Sequence, residues 1–131
     1  MKVLEWNNQA AGKAERKKKT IDDLRNFGAD TKAGLHICMG NENFYLRMVK
    51  LIPGDPNFQK LYDSIEKGDL EGAFSAAHAL KESTGNLSLT PIFAPVCEIV
   101  ELLRKRTDTD YTELVEMIRK GRDELQRICE N

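Results

Sequence analysis

"GDLEGAFSAAHALKESTGNLSLTPI", residues 68–92, sets one of the chain's two histidines, His78, among mostly small side chains between Gly68-Asp69 and Thr90-Pro91. Asp69 stands where a helix N-cap belongs, and Thr90 followed by Pro91 opens a further helix. At 3.6 residues per turn, Ala73, Ala76, Leu80, Ser83, Thr84 and Leu87 fall roughly 120° to 180° around the axis from His78. That stripe is the one to bury. Glu71, Ser75, Glu82 and Gly85 share the side of His78, with Phe74 and Lys81 about 40° and 60° away. The spacing therefore predicts His78 in solvent, midway along its helix.

Helical spacing also dominates outward from this segment. "TIDDLRNFG" reads as a short helix closed by Gly28, and "DTKAGLHICMG" as another running from an N-cap-like Asp30 to Gly40. Asn41 caps a third, whose stripe of Phe44, Tyr45, Met48, Val49 and Ile52 runs until "PGDP" stops it. From Asp55 or Pro56 the pattern resumes with Phe58, Leu61, Tyr62 and Ile65 up to Gly68. Beyond Pro91, the stripe is Ile92, Val96, Ile99, Val100 and Leu103; Pro95 is close enough to the helix start to cost at most one backbone bond. The last helix runs from about Asp110, with Tyr111, Leu114, Ile118, Leu125 and Ile128 facing inward. Short connections make neighbours antiparallel. The expected fold is all-α, an up-and-down four-helix bundle with short accessory N-terminal helices.

The chain has 131 residues, 40% of them hydrophobic, which suits one domain with an ordinary core. Its net charge of -1 names neither nucleic acid nor an anionic membrane as a partner. The first 20 residues carry six Lys/Arg against two Glu, leaving about -5 for the rest. Residues 1–19, with the run "KAERKKK", read as a basic, flexible, solvated extension, since no aromatic residues are interleaved to stack on bases; residues 20–131 form the bundle domain. Cys38, Cys97 and Cys129 are scattered and odd in number, the usage of a reduced compartment. With no stretch of ~18 apolar residues and no apolar leader, a soluble, cytoplasmic protein is expected.

What remains is the chemistry of His78. A metal site wants convergent ligands, but His36 is the only other histidine and no cysteine or carboxylate pair has ligand spacing, so no metal is expected. Hydrolysis by a nucleophile would need an activated Ser or Cys with an oxyanion hole, and no GxSxG or Cys/His arrangement is present. No Walker-type loop offers a nucleotide site. His36, between Leu35 and Ile37, reads as packing at the bundle edge. Around His78 the small Ser75, Ala79 and Gly85 leave room for another protein, Phe74 offers an apolar foothold, and Lys81 places a cation where an anion on the ring would need one.

"AHALKESTGNLSLTPI" resembles the active helix of histidine-containing phosphotransfer (HPt) domains, whose pattern is His-x-Leu-Lys-Gly followed by small residues and an Asn/Leu/Gly-like turn. His78, Leu80 and Lys81 match the first, third and fourth positions, and "GNLSL" resembles the turn. The resemblance extends upstream through "GADTKAGLHICMGNENFYLRMVKLI" and "LYDSIEKGD" and covers roughly residues 20 to 129. It implies a four-helix bundle that exchanges phosphoryl groups with receiver-domain aspartates in two-component relays. His78 would hold the phosphoryl group, Lys81 would offset its charge, and Phe74, Ser75, Glu82 and Gly85 would lie on the docking face. The implied partners are a response-regulator receiver domain, a hybrid histidine kinase, or both. A carrier of this kind needs no cofactor, is not an enzyme by itself and is expected to be a monomer. Glu82 stands where the family has glycine. It adds bulk and negative charge near the phosphate position, or it accepts a hydrogen bond from the imidazole. A rival reading follows from the first alternative: an HPt-like module that docks a receiver or kinase without phosphotransfer.

Overall fold

The computed structural model describes the backbone of residues 2–130 and the side chains of residues 12–130. Among the described residues the chain is all-helical: α1 (Lys2–Phe27), α2 (Thr31–Ile37), α3 (Glu42–Leu51), a 3-10 turn (Ile52–Gly54), α4 (Pro56–Lys67), α5 (Leu70–Asn86), α6 (Thr90–Arg104) and α7 (Thr112–Glu130).

The caps follow from local chemistry. Carboxylate or amide oxygens of Asp30, Asn41, Asp55 and Asp69 accept backbone N–H groups of Ala33, Phe44, Asn57 and Gly72, satisfying donors that an N-terminus leaves open. Gly68 closes α4 at φ 73°, a left-handed conformation that glycine adopts without a Cβ penalty. Pro95 does lie inside α6, yet it is buried and the helix continues to Arg104.

α4 packs on α5, α5 on α6, and α6 on α7, while α1 lies against α7. The core between them contains Leu61, Leu80, Ile92, Val96, Ile99, Val100, Ile118 and Leu125, each 2% exposed or less. Burying one such aliphatic side chain is worth about 1.5 to 3 kcal/mol. Two glycines let α6 approach its neighbours. A Cβ built on Gly85 of α5 would stand 2.9 Å from Phe93 Cε2, and one on Gly121 of α7 would stand 2.9 Å from Ile92 Cγ1. Consecutive residues of the first turns of α6 thus fill notches on both sides.

Several expectations change. The helix ending at Phe27 does not begin near Thr20: it is continuous from Lys2, so "KAERKKK" is helical, with Lys13, Arg16, Lys18 and Lys19 exposed. The side chains of residues 1–11, which carry the rest of the expected solvated extension, lie outside the described residues. Phe44, assigned to the inward stripe of α3, is 46% exposed, and Leu46 is buried in its place beside Tyr45 and Val49. The reason is the neighbour: Tyr45 turns into the gap left by Gly34 of α2 and donates its hydroxyl to Leu87 O at 3.2 Å, which rotates α3 toward Leu46. His36 is exposed rather than packed, lining an open groove with Leu35, Ile37 and Met39, because α2 makes only two turns and buries Thr31 and Gly34.

Candidate functional site

α5 is fastened along the face opposite His78. Ala73, Ala76, Ala77, Leu80 and Thr84 are fully buried, and Thr84 donates its hydroxyl to Leu80 O at 2.7 Å. That burial fixes the rotation of the helix about its axis. His78 accordingly projects outward, with 47% of its side chain exposed, near the midpoint of α5.

The imidazole stands between two side chains, one turn before it and one turn after. Phe74 lies N-terminal to it, with ring centroids 5.8 Å apart and planes tilted by 39°. Glu82 lies C-terminal, its Oε1 3.7 Å from His78 Nδ1. That separation is longer than a formed hydrogen bond. Both groups are well exposed, so the contact is worth at most about 1 kcal/mol.

Phe74 differs from its expected role as a free apolar foothold. It is half-buried against the core, and the Arg104 guanidinium of α6 sits 5.4 Å over its ring. Arg104 and Arg106 line a small cavity of about 300 Å³ beside Leu70, Glu71, Phe74 and Leu103, where Arg106 also pairs with Glu71 at 3.3 Å. Composition gave no hint of Arg104, because the pairing spans thirty residues of chain and depends on how α6 lies on α5. The one sequence clue is that Phe74 lies only 40° or so off the exposed side of α5, so a covering group from α6 had room to reach it.

Gly85 was expected to leave open space on the docking side, but the Phe93 ring of α6 occupies that space. Its missing side chain serves the helix packing. Ser75 is exposed, as the projection required, and Ala79 is half-buried.

Lys81 is half-buried on the flank of α5 toward α6. Its position is reported by Cys97: burial pushes that thiol up, the Lys81 cation pulls it down, and Glu101 pushes it up again. The lysine thus lies where α5 meets α6, one turn from His78 and off the core stripe. The exposed side of the junction carries an imidazole, a carboxylate, a lysine and an arginine on a rigid helical base. No group of three or more His, Cys, Asp or Glu suited to a metal occurs among the described residues. Among the same residues, no helix is long and apolar enough to cross a membrane.

Such a site presents an imidazole edge to water on a helical base, and the small cavity beside it is lined by Phe74, Arg104 and Arg106 rather than by His78. Compared with protein-family models, with curated proteins and with solved structures, the chain matches none.

Proposed function

We propose that the protein is a phosphorelay carrier of the HPt type, in which His78 accepts a phosphoryl group from, and returns it to, receiver-domain aspartates. The observation that carries this reading is the outward imidazole at the centre of a helix buried on its opposite side along Ala73, Ala76, Leu80 and Thr84, with Lys81 one turn away. A histidine placed for packing has no reason to stand at the crest of the surface. An imidazole placed there has a free lone pair, while the partner supplies the metal ion and the acceptor carboxylate. Positioning and charge neutralisation then make up most of the work.

The fold proposed with this function is an up-and-down four-helix core, α4 to α7, with α1 to α3 as accessory helices. Supporting it are the successive packing of α4 on α5, α5 on α6 and α6 on α7, and the Arg119 guanidinium of α7 lying 4.3 Å over the Tyr62 ring of α4, which brings the last helix back to the first. The connections are two, three and seven residues long, lengths that suit a reversal of direction between packed neighbours.

The carrier acts in the cytoplasm as a monomer, with a response-regulator receiver or a hybrid histidine kinase as its partner. Docking uses Phe74, Ser75 and Glu82, with the Phe93 edge in place of the open space once assigned to Gly85. The test is incubation of the full chain with receivers charged from acetyl phosphate. Label that is acid-labile, maps to His78 and is lost in His78→Gln supports the carrier. A folded protein that no receiver of its cell labels refutes it.

A second reading rests on Glu82. Its carboxylate, 3.7 Å from the imidazole, puts a negative charge where a phosphoryl group would arrive. On that reading the chain docks a receiver or kinase without transfer, and the same receivers bind it yet leave it unlabelled.

A further inference from the structure

We infer that Glu82 is a positioning residue for His78: its carboxylate holds the ring proton on Nδ1 and so makes Nε2 the nitrogen that takes the phosphoryl group. The transfer step in this inference rests on the carrier reading above; the placement of the proton does not.

The argument starts from geometry. Glu82 Oε1 faces Nδ1, while the Phe74 ring flanks the imidazole one turn earlier, so the ring is held between two neighbours on a helix that its buried face prevents from rotating. At 3.7 Å the carboxylate charge acts on the Nδ1 edge of the ring without a formed hydrogen bond. A neutral imidazole carries one N–H and one lone pair, and a carboxylate beside Nδ1 favours the tautomer with the proton there. The lone pair is then on Nε2, at the opposite edge of the ring from Glu82.

The chemistry follows with its charges in balance. The Nε2 lone pair forms a bond to the phosphorus of a receiver's aspartyl phosphate. The bond from phosphorus to the aspartyl oxygen breaks, and its electron pair leaves with the receiver's carboxylate. Nδ1 keeps its proton throughout, so the phosphorylated ring is an imidazolium whose positive charge faces Glu82. Return transfer runs the same steps backward. A carboxylate that orients an imidazole and stabilises the imidazolium is a recurring arrangement in catalysis, and it needs no proton transfer to the acid.

The neighbouring charges then divide the work. Lys81 and Glu82 are consecutive in α5 and diverge by about 100°. The cation serves the phosphoryl oxygens, and the anion serves the ring. The carboxylate and the phosphoryl group stand on opposite sides of the imidazole, which removes most of the repulsion that a glutamate at this position would otherwise bring.

The experiment uses the full chain, Glu82→Ala and Glu82→Gln, compared at one alkaline pH. Long-range proton–nitrogen NMR correlations read the tautomer of His78. The natural protein is expected to hold several-fold more of the Nδ1–H form than Glu82→Ala, with Glu82→Gln between them because its amide oxygen still accepts. With phosphoramidate as the donor, label should reside on Nε2 and accumulate about two- to five-fold more slowly in Glu82→Ala, the scale of an exposed charge pair. Equal tautomer ratios in the natural protein and Glu82→Ala, or label on Nδ1, overturn the inference. A shifted tautomer with Nε2 labelling, but no exchange with any receiver, leaves the inference standing and removes the carrier reading instead.

Discussion

Replacing Gly121 with alanine sets two known effects against each other, and the structure decides their sign. Gly121 is buried in the interior of α7, where alanine is worth about 0.8 to 1.0 kcal/mol of helix propensity over glycine. Against this, the new Cβ would meet Ile92 Cγ1 at 2.9 Å, with Pro91 O 3.5 Å away behind it. Ile92 is fully buried and its Cγ1 is one bond from a branched Cβ, so it has no free end to swing aside. Forcing a methyl group into such packing costs about 1 to 3 kcal/mol. The balance is a loss of about 1 kcal/mol, or roughly 3 to 5 °C in Tm for a chain of this length. Urea and thermal unfolding followed by far-UV circular dichroism measure it. Gly12→Ala is the internal standard: among the described residues a Cβ there meets nothing within 4 Å, so propensity acts alone and the change should not destabilise. A Gly121→Ala midpoint equal to or above that of the natural chain would show that α6 and α7 are not seated through this notch.

Lys81→Ala should lower the yield or shorten the lifetime of phosphohistidine by a few-fold while the melting curve stays in place, since the lysine lies off the core stripe; unchanged lifetime and yield would leave it a solubility role only. Leu80→Ala, at a position with no exposure directly behind the site, should cost about 2.7 to 5 kcal/mol in denaturant unfolding, and a cost below about 1 kcal/mol would contradict the assigned rotation of α5. Burial pushes Tyr45 and Tyr62 from 10.0 up to about 12, so their neutral forms stabilise the fold fully below pH 10, and this contribution is lost as pH rises through 12. Tyrosinate absorbance should therefore lag behind that of the urea-unfolded chain in alkaline titration, and coincident curves would refute the burial of both rings. Gly85→Ala combined with Gly121→Ala should depart from the sum of the single changes, because Phe93 and Ile92 are adjacent residues on one helix; strict additivity would mean that the two notches act independently.

The parts of the fold that depend on neighbours in sequence were legible without a structure. Asp30, Asn41, Asp55 and Asp69 announce their helices because a cap is a contact between a side chain and a backbone group two or three residues later. The outward direction of His78 was legible for the same reason, since it follows from periodicity alone. What escaped depended on groups distant in sequence. Phe44 and Leu46 exchange roles because Tyr45 is claimed by Gly34 and Leu87, and a hydrophobic stripe does not say which partner will claim it. Gly85 presents the same difficulty: a missing side chain on an exposed line looks like open surface until Phe93 arrives from the next helix. Arg104 carried no local pattern at all, and its stacking on Phe74 exists only once α5 and α6 are packed.

Cys97 gives this junction a chemical reporter of its own. Its half-buried thiol answers to Lys81 on one side and Glu101 on the other, so alkylation of the natural chain reads the electrostatics and the coverage of the junction together. A protein laid across this edge shields the sulfur and slows the reagent. Site-resolved mass spectrometry separates the signal from those of Cys38 and Cys129, whose thiols lie elsewhere in the chain. Footprinting of whatever docks beside His78 can thus be done with the unmodified protein, one alkylation rate serving as the measure of occupancy.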